Sequence, residues 1–158
     1  MDRGDGGAGG RGGAPGLEGL PAELEVVIEA PRFTMVKRRA DGRIDFVSPV
    51  PCPYNYGSIP GRWGGDGDPL DAVVMGPRLT RGTCLKVPVV GVIDFVDGGQ
   101  ADPKVVCSAR PLGAAERRGL EAFFTVYALG KRALARARGE GGETRFRGWI
   151  AGFGEGGG

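Results

Sequence analysis

From Leu24 to Ala109 the chain offers short runs of β-branched and aromatic residues cut by Gly and Pro, with no helical segment between them. Strands that follow one another without alternating helices argue against a doubly wound parallel sheet and for a small barrel. LEVVIEAPRFTMVKRR, from Leu24, reads as two short strands or one bent strand punctuated by Pro31. GRIDFVS, from Gly42, reads as a third strand, opened by an Asp41-Gly42 hairpin turn. AVVM at 72–75, CLKVPVVGVIDFV at 84–96 and KVVCSA at 104–109 continue the series, with turns at Arg81-Gly82 and Asp97-Gly98. Between them, 49–69 holds Pro49, Pro51, Pro53, Pro60 and Pro69 among several glycines and reads as a long ordered loop.

The character changes at 114–138. There Leu120, Phe123, Phe124, Tyr127 and Leu134 recur at helical spacing, while Arg117, Arg118, Lys131, Arg132, Arg136 and Arg138 fall largely on other faces. An amphipathic helix is expected, with Gly130 a point of interruption. ETRFRGWIAG, from Glu143, reads as a last short strand or an extended segment packing Phe146 and Trp149 on the domain.

Of the 32 glycines among 158 residues, nine lie in 1–19 and nine in 139–158. Glycine-rich stretches without large apolar side chains cannot offset the entropy of ordering. The expected organisation is therefore a tail at 1–19, one globular domain at 20–150 and a tail at 151–158. No apolar run approaches the roughly 18 residues of a membrane span, and MDRGDGGAGGRGG lacks a secretory core. Cys52, Cys84 and Cys107, odd in number and widely spaced, form neither a disulfide framework nor a zinc motif. The chain reads as cytoplasmic, without a membrane partner.

Histidine is absent. This removes Ser/His and Cys/His nucleophile pairs and every metal site that needs imidazole. Acid–base work must fall to carboxylates, Lys, Tyr or Cys. Between Asp41 and Asp102 there are eight Asp and no Glu. GGDGDPLDA places Asp66, Asp68 and Asp71 within six residues, and like charges this close repel unless a cation or proton lies among them. Carboxylates without imidazole or thiolate suit hard cations, Mg²⁺ or Mn²⁺ before Ca²⁺. Taken alone, the cluster also reads as a set of turn caps, and DGGQADPK alone reads as a turn with a salt bridge. Together, Asp66, Asp68, Asp71, Asp97 and Asp102 could hold more than one divalent ion, with Lys37, Lys104, Tyr56 and Tyr127 holding an anion against them. Two metals flanking a water and a phosphoryl group is chemistry that needs no histidine.

VVIEAP (26–31), Lys37, PYNYGSIP (53–60), DGDPLDA (66–72), VGVIDFVDGGQADPK (90–104) and FFTVY (123–127) together resemble the soluble Mg²⁺-dependent inorganic pyrophosphatases of small-barrel type. The resemblance runs from about Leu24 to Trp149, and DGDPLD followed by D(x4)DxK is its most specific part. It implies a mainly β, closed, five-stranded OB-like barrel with one or two C-terminal helices outside. The implied reaction is hydrolysis of inorganic pyrophosphate to two phosphates by metal-activated water. By the same resemblance Asp66, Asp71 and Asp102 bind the activating metal, and Asp97 and Asp102 bind further metals arriving with substrate. Asp68 accepts the proton of the attacking water. Tyr56, Tyr127, Lys37 and Lys104 contact phosphate oxygens, and Glu29 is an acid at the rim. Members are commonly homo-oligomeric.

The sequence departs from the family at several phosphate-side positions. Ile44 or, with a gap, Pro49 stands where a phosphate-binding arginine is usual, and Arg43 substitutes only if a bulge re-aims it. Arg39, Cys52 and Ala128 replace a glutamate, an aromatic and a lysine; Lys131, one turn beyond Ala128, reaches toward the same place. These changes leave a second reading, a weakened relative that binds metal and a phosphate or other diphosphate. A nucleic-acid-binding barrel is a third: 110–147 carries nine basic and four acidic residues, but the Asp-rich half would repel a phosphate backbone.

Overall fold

The computed structural model describes residues 16–34, 36–38, 41–47 and 50–154, with 36–38 and 45–47 as backbone alone. Its elements are β1 (Glu23–Ala30), β2 (Val36–Arg38), β3 (Ile44–Val47), β4 (Asn55–Trp63), β5 (Pro69–Val74), β6 (Cys84–Asp97), β7 (Gln100–Ala101), β8 (Lys104–Cys107), α1 (Ala114–Ala137) and β9 (Arg145–Trp149). Strands β1, β4, β5, β8 and β6 pair in that order, and β6 pairs back to β1, closing a five-stranded barrel. The β5–β8 pair is parallel and the other barrel pairs are antiparallel. Short β7 and β9 add to β6, and β2 and β3 form the expected hairpin. The barrel is thus mixed, with one helix outside.

Strand β6 makes closure feasible. Its 14 residues pair first with β1, through Cys84–Pro88, then with β8 from Val89 and with β9 from Ile93. The ladder to β8 slips between Val89 and Gly91, and the strand turns there from one partner to the next.

The expectation of a loop across 49–69 is corrected: nine of those residues form β4. Gly57 is there because β1 runs against it; a Cβ at this position would lie 2.1 Å from the Val27 carbonyl oxygen. Pro60 is tolerated because regular pairing with β5 stops at Ile59↔Leu70 and resumes at Trp63↔Pro69, so no ladder bond needs its missing N–H.

Alternation along the strands makes two cores. Val26, Ile28, Ile59, Leu70, Ala72, Val74, Val92, Val105 and Cys107 point inward and fill the barrel. Leu17 and Phe153 also pack on this cluster, so the packed unit reaches to either side of 20–150. Val73, Ile93, Phe95 and Val106 point outward and receive Leu120, Phe124, Tyr127 and Ala128 of α1. Those helix positions fall at i, i+4, i+7 and i+8, one face. Gly130 does not interrupt α1; a mid-helix glycine costs about 1 kcal/mol, and packing on either side of it outweighs that. Gly139, in the left-handed region at φ 70, ends it. Strand β9 is tied to α1 where Trp149 Nε1 donates to Glu121 Oε1 at 2.9 Å.

Candidate active site

Because β5 and β8 are parallel neighbours, Asp71 stands directly opposite Lys104. The residues beside them, Leu70, Ala72 and Val105, point into the barrel, so both polar side chains emerge on the outer face. Lys104 is only 2% exposed, and its Nζ lies 2.7 Å from Asp71 Oδ2 and 2.7 Å from Asp102 Oδ2. The rings of Tyr56 and Phe95 lie beneath it, each centroid 5.6 Å from the ammonium. Burial alone would disfavour that charge, but Asp102 and Asp71 outweigh it and hold the Lys104 pKa well above its usual value. Burial pushes the Asp102 carboxyl upward, with Lys104 pulling it back and Asp71 adding to the rise. An excess of carboxylate thus surrounds a single buried cation.

A second grouping adjoins the first. Asp97, at the end of β6, is ion-paired with Lys131 of α1 and accepts a hydrogen bond from Thr144 Oγ1 at 3.3 Å. Thr144 Oγ1 also accepts the Gly98 N–H at 3.0 Å, fixing the turn that carries Asp97. Lys131 Nζ lies 5.5 Å from the centroid of Tyr127, and Tyr127 packs on Phe95 at 5.7 Å between centroids. Burial raises the pKa of Tyr56 and of Tyr127, so both phenols stay protonated and able to donate at neutral pH.

Asp66 and Asp68 occupy the exposed turn before β5. Asp66 Oδ1 accepts the Asp68 backbone N–H at 3.0 Å, and the Gly64 N–H donates to the Asp68 carbonyl at 2.8 Å. Glu29 is half-buried on β1. Arg43 is at the hairpin turn, 86% exposed, with its Nε 3.8 Å from Asp41 Oδ2. The β2–β3 ladder is irregular between Lys37 and Arg38, yet Arg43 is held at the turn by Asp41, so the bulge does not bring it to the site. The Lys37 side chain lies outside the described residues. The expected residues thus divide. Tyr56, Asp71, Asp97, Asp102, Lys104, Tyr127 and Lys131 come together, while Asp66 and Asp68 lie in the exposed turn before β5, Glu29 on β1 and Arg43 at the hairpin turn. Among the described residues no three acidic or thiol side chains are gathered closely enough to chelate one cation.

The family model described as inorganic pyrophosphatase matches residues 26–129, from within β1 into α1, and so takes in Tyr56, Asp71, Asp97, Asp102, Lys104 and Tyr127 but not Lys131. The chain belongs to the inorganic pyrophosphatase family. Among similar inorganic pyrophosphatases, that of Gluconobacter oxydans is 34% identical over 97 residues, covering 56% of this chain and 56% of its own length. The soluble inorganic pyrophosphatase of Oryza sativa subsp. indica is 36% identical over 101 residues, covering 58% of this chain and 47% of its own. The chain therefore spans about half the length of the curated relatives it matches. The solved inorganic pyrophosphatase of Thermus thermophilus aligns with a TM-score of 0.66 at 28% identity, covering 85% of this chain and 86% of that one. That from Neisseria gonorrhoeae gives 0.63 at 28%, covering 81% and 82%.

The departures from the inorganic pyrophosphatase pattern have visible consequences. Cys52 is buried, and Ala128 is buried against the second core rather than directed at the acidic group. Ile44 is exposed on the hairpin. Lys131, one helical turn beyond Tyr127, brings an ammonium to Asp97. Sequence reasoning missed Thr144 and Phe95. Thr144 has no motif around it; Phe95 was visible only as an outward position of β6, alternating with Val92 and Val96 about it.

Proposed function

We propose that this chain hydrolyses inorganic pyrophosphate to two phosphates, using Mg²⁺ and a water molecule. The observation that carries the reading is that Asp71 and Asp102 are brought together about Lys104, two carboxylates beside one buried ammonium, within the segment matched by the family. Both donors are carboxylate oxygens, the type a hard cation takes, and Mg²⁺ is commonly bound through one or two carboxylates with waters and substrate phosphate completing its shell. Asp71 and Asp102 would hold it, with Asp66 and Asp97 as further ligands. When bound, Mg²⁺ acidifies water and offsets charge developing on phosphoryl oxygens.

The chain's own groups supply the rest. Asp68 is exposed, its carboxylate forms no hydrogen bond or ion pair with the described residues, and it accepts the proton of the attacking water. Tyr56 and Tyr127 donate their phenolic hydrogens to phosphate oxygens, which their raised pKa values permit. Lys104 and Lys37 add positive charge against the diphosphate, and Lys131 extends that charge to the α1 side. Glu29 stands at the rim. The same reading places the chain in the cytoplasm, where three unpaired cysteines are stable. No helix among the described residues is long and apolar enough to cross a membrane.

The test is phosphate release from pyrophosphate by the purified chain, with Mg²⁺ or with EDTA, beside Asp68→Ala. Expected is release that needs Mg²⁺ and falls by about 10²–10⁴-fold in the variant, the usual worth of a general base. No release with Mg²⁺, or undiminished release from Asp68→Ala, overturns the reading.

A further inference from the structure

We infer that the chain carries a second anion site, for a phosphate group, between the end of β8 and the start of α1. A cavity of about 250 Å³ lies there, walled by Ser108, Arg110 and Arg117, with Pro88, Val90 and Gly154 around them. None of these residues belongs to the group around Lys104. Lys104 opens β8 and Ser108 follows its last residue, so the two sites sit at opposite ends of the strand, roughly 13 Å apart at the usual rise.

The cavity is built for negative charge. Arg110 and Arg117 form no ion pair with any described residue. The neighbouring carboxylates of α1 are engaged elsewhere: Glu116 Oε1 accepts the Gly113 N–H at 3.1 Å, and Glu121 Oε1 accepts from Trp149 Nε1 at 2.9 Å. The second of these bonds holds the indole on which the Arg117 guanidinium lies, 4.2 Å from the ring, so this guanidinium is positioned before any ligand arrives. Ser108 Oγ accepts the Arg110 backbone N–H at 3.2 Å, which leaves its hydroxyl hydrogen to donate into the cavity. The positive end of the 24-residue helix adds to the same field. The far wall is backbone. Gly154 presses so closely on β6 that a Cβ there would lie 2.0 Å from the Val90 carbonyl carbon.

Two arginines and a hydroxyl donor bordering one cavity supply the donor types that a tetrahedral dianion takes, and arginine is the side chain best suited to it. The volume is below the roughly 300 Å³ at which pockets for larger small molecules begin, so the recognised unit is one phosphate group, free or carried by a small ester. This inference does not rest on the hydrolytic reading.

Trp149 reports on the site. It is one of two tryptophans in the chain, and the other, Trp63, is exposed before the Asp66 turn. Full-length Trp63→Phe protein is titrated in EDTA, at ionic strength fixed with chloride, with inorganic phosphate and in parallel with adenosine monophosphate. A saturable change in Trp149 emission is expected with at least one of them, and the better titrant shows whether the phosphate is free or esterified. Adding Arg110→Ala, which touches neither Trp149 nor the Lys104 group, raises the half-saturating concentration at least tenfold. Arg110→Lys gives a smaller rise. No saturable change with either titrant, or the same half-saturation in Arg110→Ala, overturns the proposal. Hydrolysis of pyrophosphate by the same preparations is measured separately, so failure of one reading leaves the other standing.

Discussion

Asp71 and Lys104 are register partners across the parallel β5–β8 pair, and the lysine ammonium closes the gap to the carboxylate at 2.7 Å. A backbone ladder therefore sets this ion pair, and the aromatic floor of Tyr56 and Phe95 keeps it from water. Removing the lysine charge would leave Asp71 and Asp102 facing each other in a largely enclosed place. Lys104→Met should lower stability by about 3–5 kcal/mol, the usual cost of breaking a buried pair from one side. Urea unfolding checks this, and millimolar Mg²⁺ should return part of the loss by binding the two carboxylates. A variant as stable as the parent, with or without Mg²⁺, would contradict the account.

Lys131 is expected to act on substrate binding more than on folding. It is partly exposed, and such pairs contribute little to stability, about 1 kcal/mol at most. If its ammonium meets the diphosphate in ground and transition states alike, Lys131→Ala raises KM for pyrophosphate roughly tenfold with kcat little changed. Lys131→Arg, which keeps the charge, should recover most of the binding. Steady-state kinetics on both variants decide it, and an unchanged KM in Lys131→Ala would remove Lys131 from the site.

At Gly57 the constraint is steric. A methyl group there would stand 2.1 Å from the Val27 carbonyl oxygen, so β1 and β4 could not keep their register. Gly57→Ala should cost about 3 kcal/mol or more, at or beyond the upper end of ordinary overpacking. Soluble yield and thermal melting provide the measurement; a melting temperature within a degree of the parent would show that the strands can separate without penalty.

Alkaline pH should destabilise the fold through two thiols. Burial pushes Cys52 from 9.0 to about 11 and Cys107 from 9.0 to about 12. Above pH 9 the unfolded chain gives up these protons while the folded chain retains them. The stabilisation is thus intact below pH 9 and is lost as pH climbs toward 11 and 12, by up to roughly 1.4 kcal/mol per pH unit for each thiol. Unfolding midpoints at pH 8, 9, 10 and 11 test the sign, and Cys107→Ala should flatten the slope. At pH 8 only exposed Cys84 should react quickly with a thiol reagent; rapid labelling of all three would refute the burial argument.

Much of the barrel was legible as short β-branched runs set off by Gly and Pro, AVVM at 72–75 and KVVCSA at 104–109 among them, and in the structure Leu70, Ala72 and Val74 turn inward while Asp71 and Val73 turn outward. Strand β4 was not, since the same residues that mark loops serve there for other reasons, Gly57 for close approach and Pro60 within a broken ladder. For the site, the spacing of the aspartates singled out DGDPLDA and DGGQADPK, and the structure pairs Asp71 of the first and Asp102 of the second with Lys104. Spacing could not show that residue 71 faces residue 104, because parallel register between strands 33 residues apart leaves no local signature. The expectation for Lys131 rested on its place one helical turn beyond Ala128; in the structure its ammonium pairs with Asp97. Arg43 could not be assigned from its position, since the competing partner, Asp41, lies two residues away in the turn itself.

The parallel pair has a consequence for how the chain matures. Two antiparallel strands can meet through a tight turn, but β5 and β8 meet only after the whole of β6 has been made and folded back between them in sequence. Closure to β1 is longer in range still, joining Val27 to Cys84. A nascent chain that has not completed these non-local steps has the aspartates but not their arrangement. Affinity for a divalent ion should therefore appear late and all at once during synthesis or refolding, on the slow timescale of high-contact-order topologies.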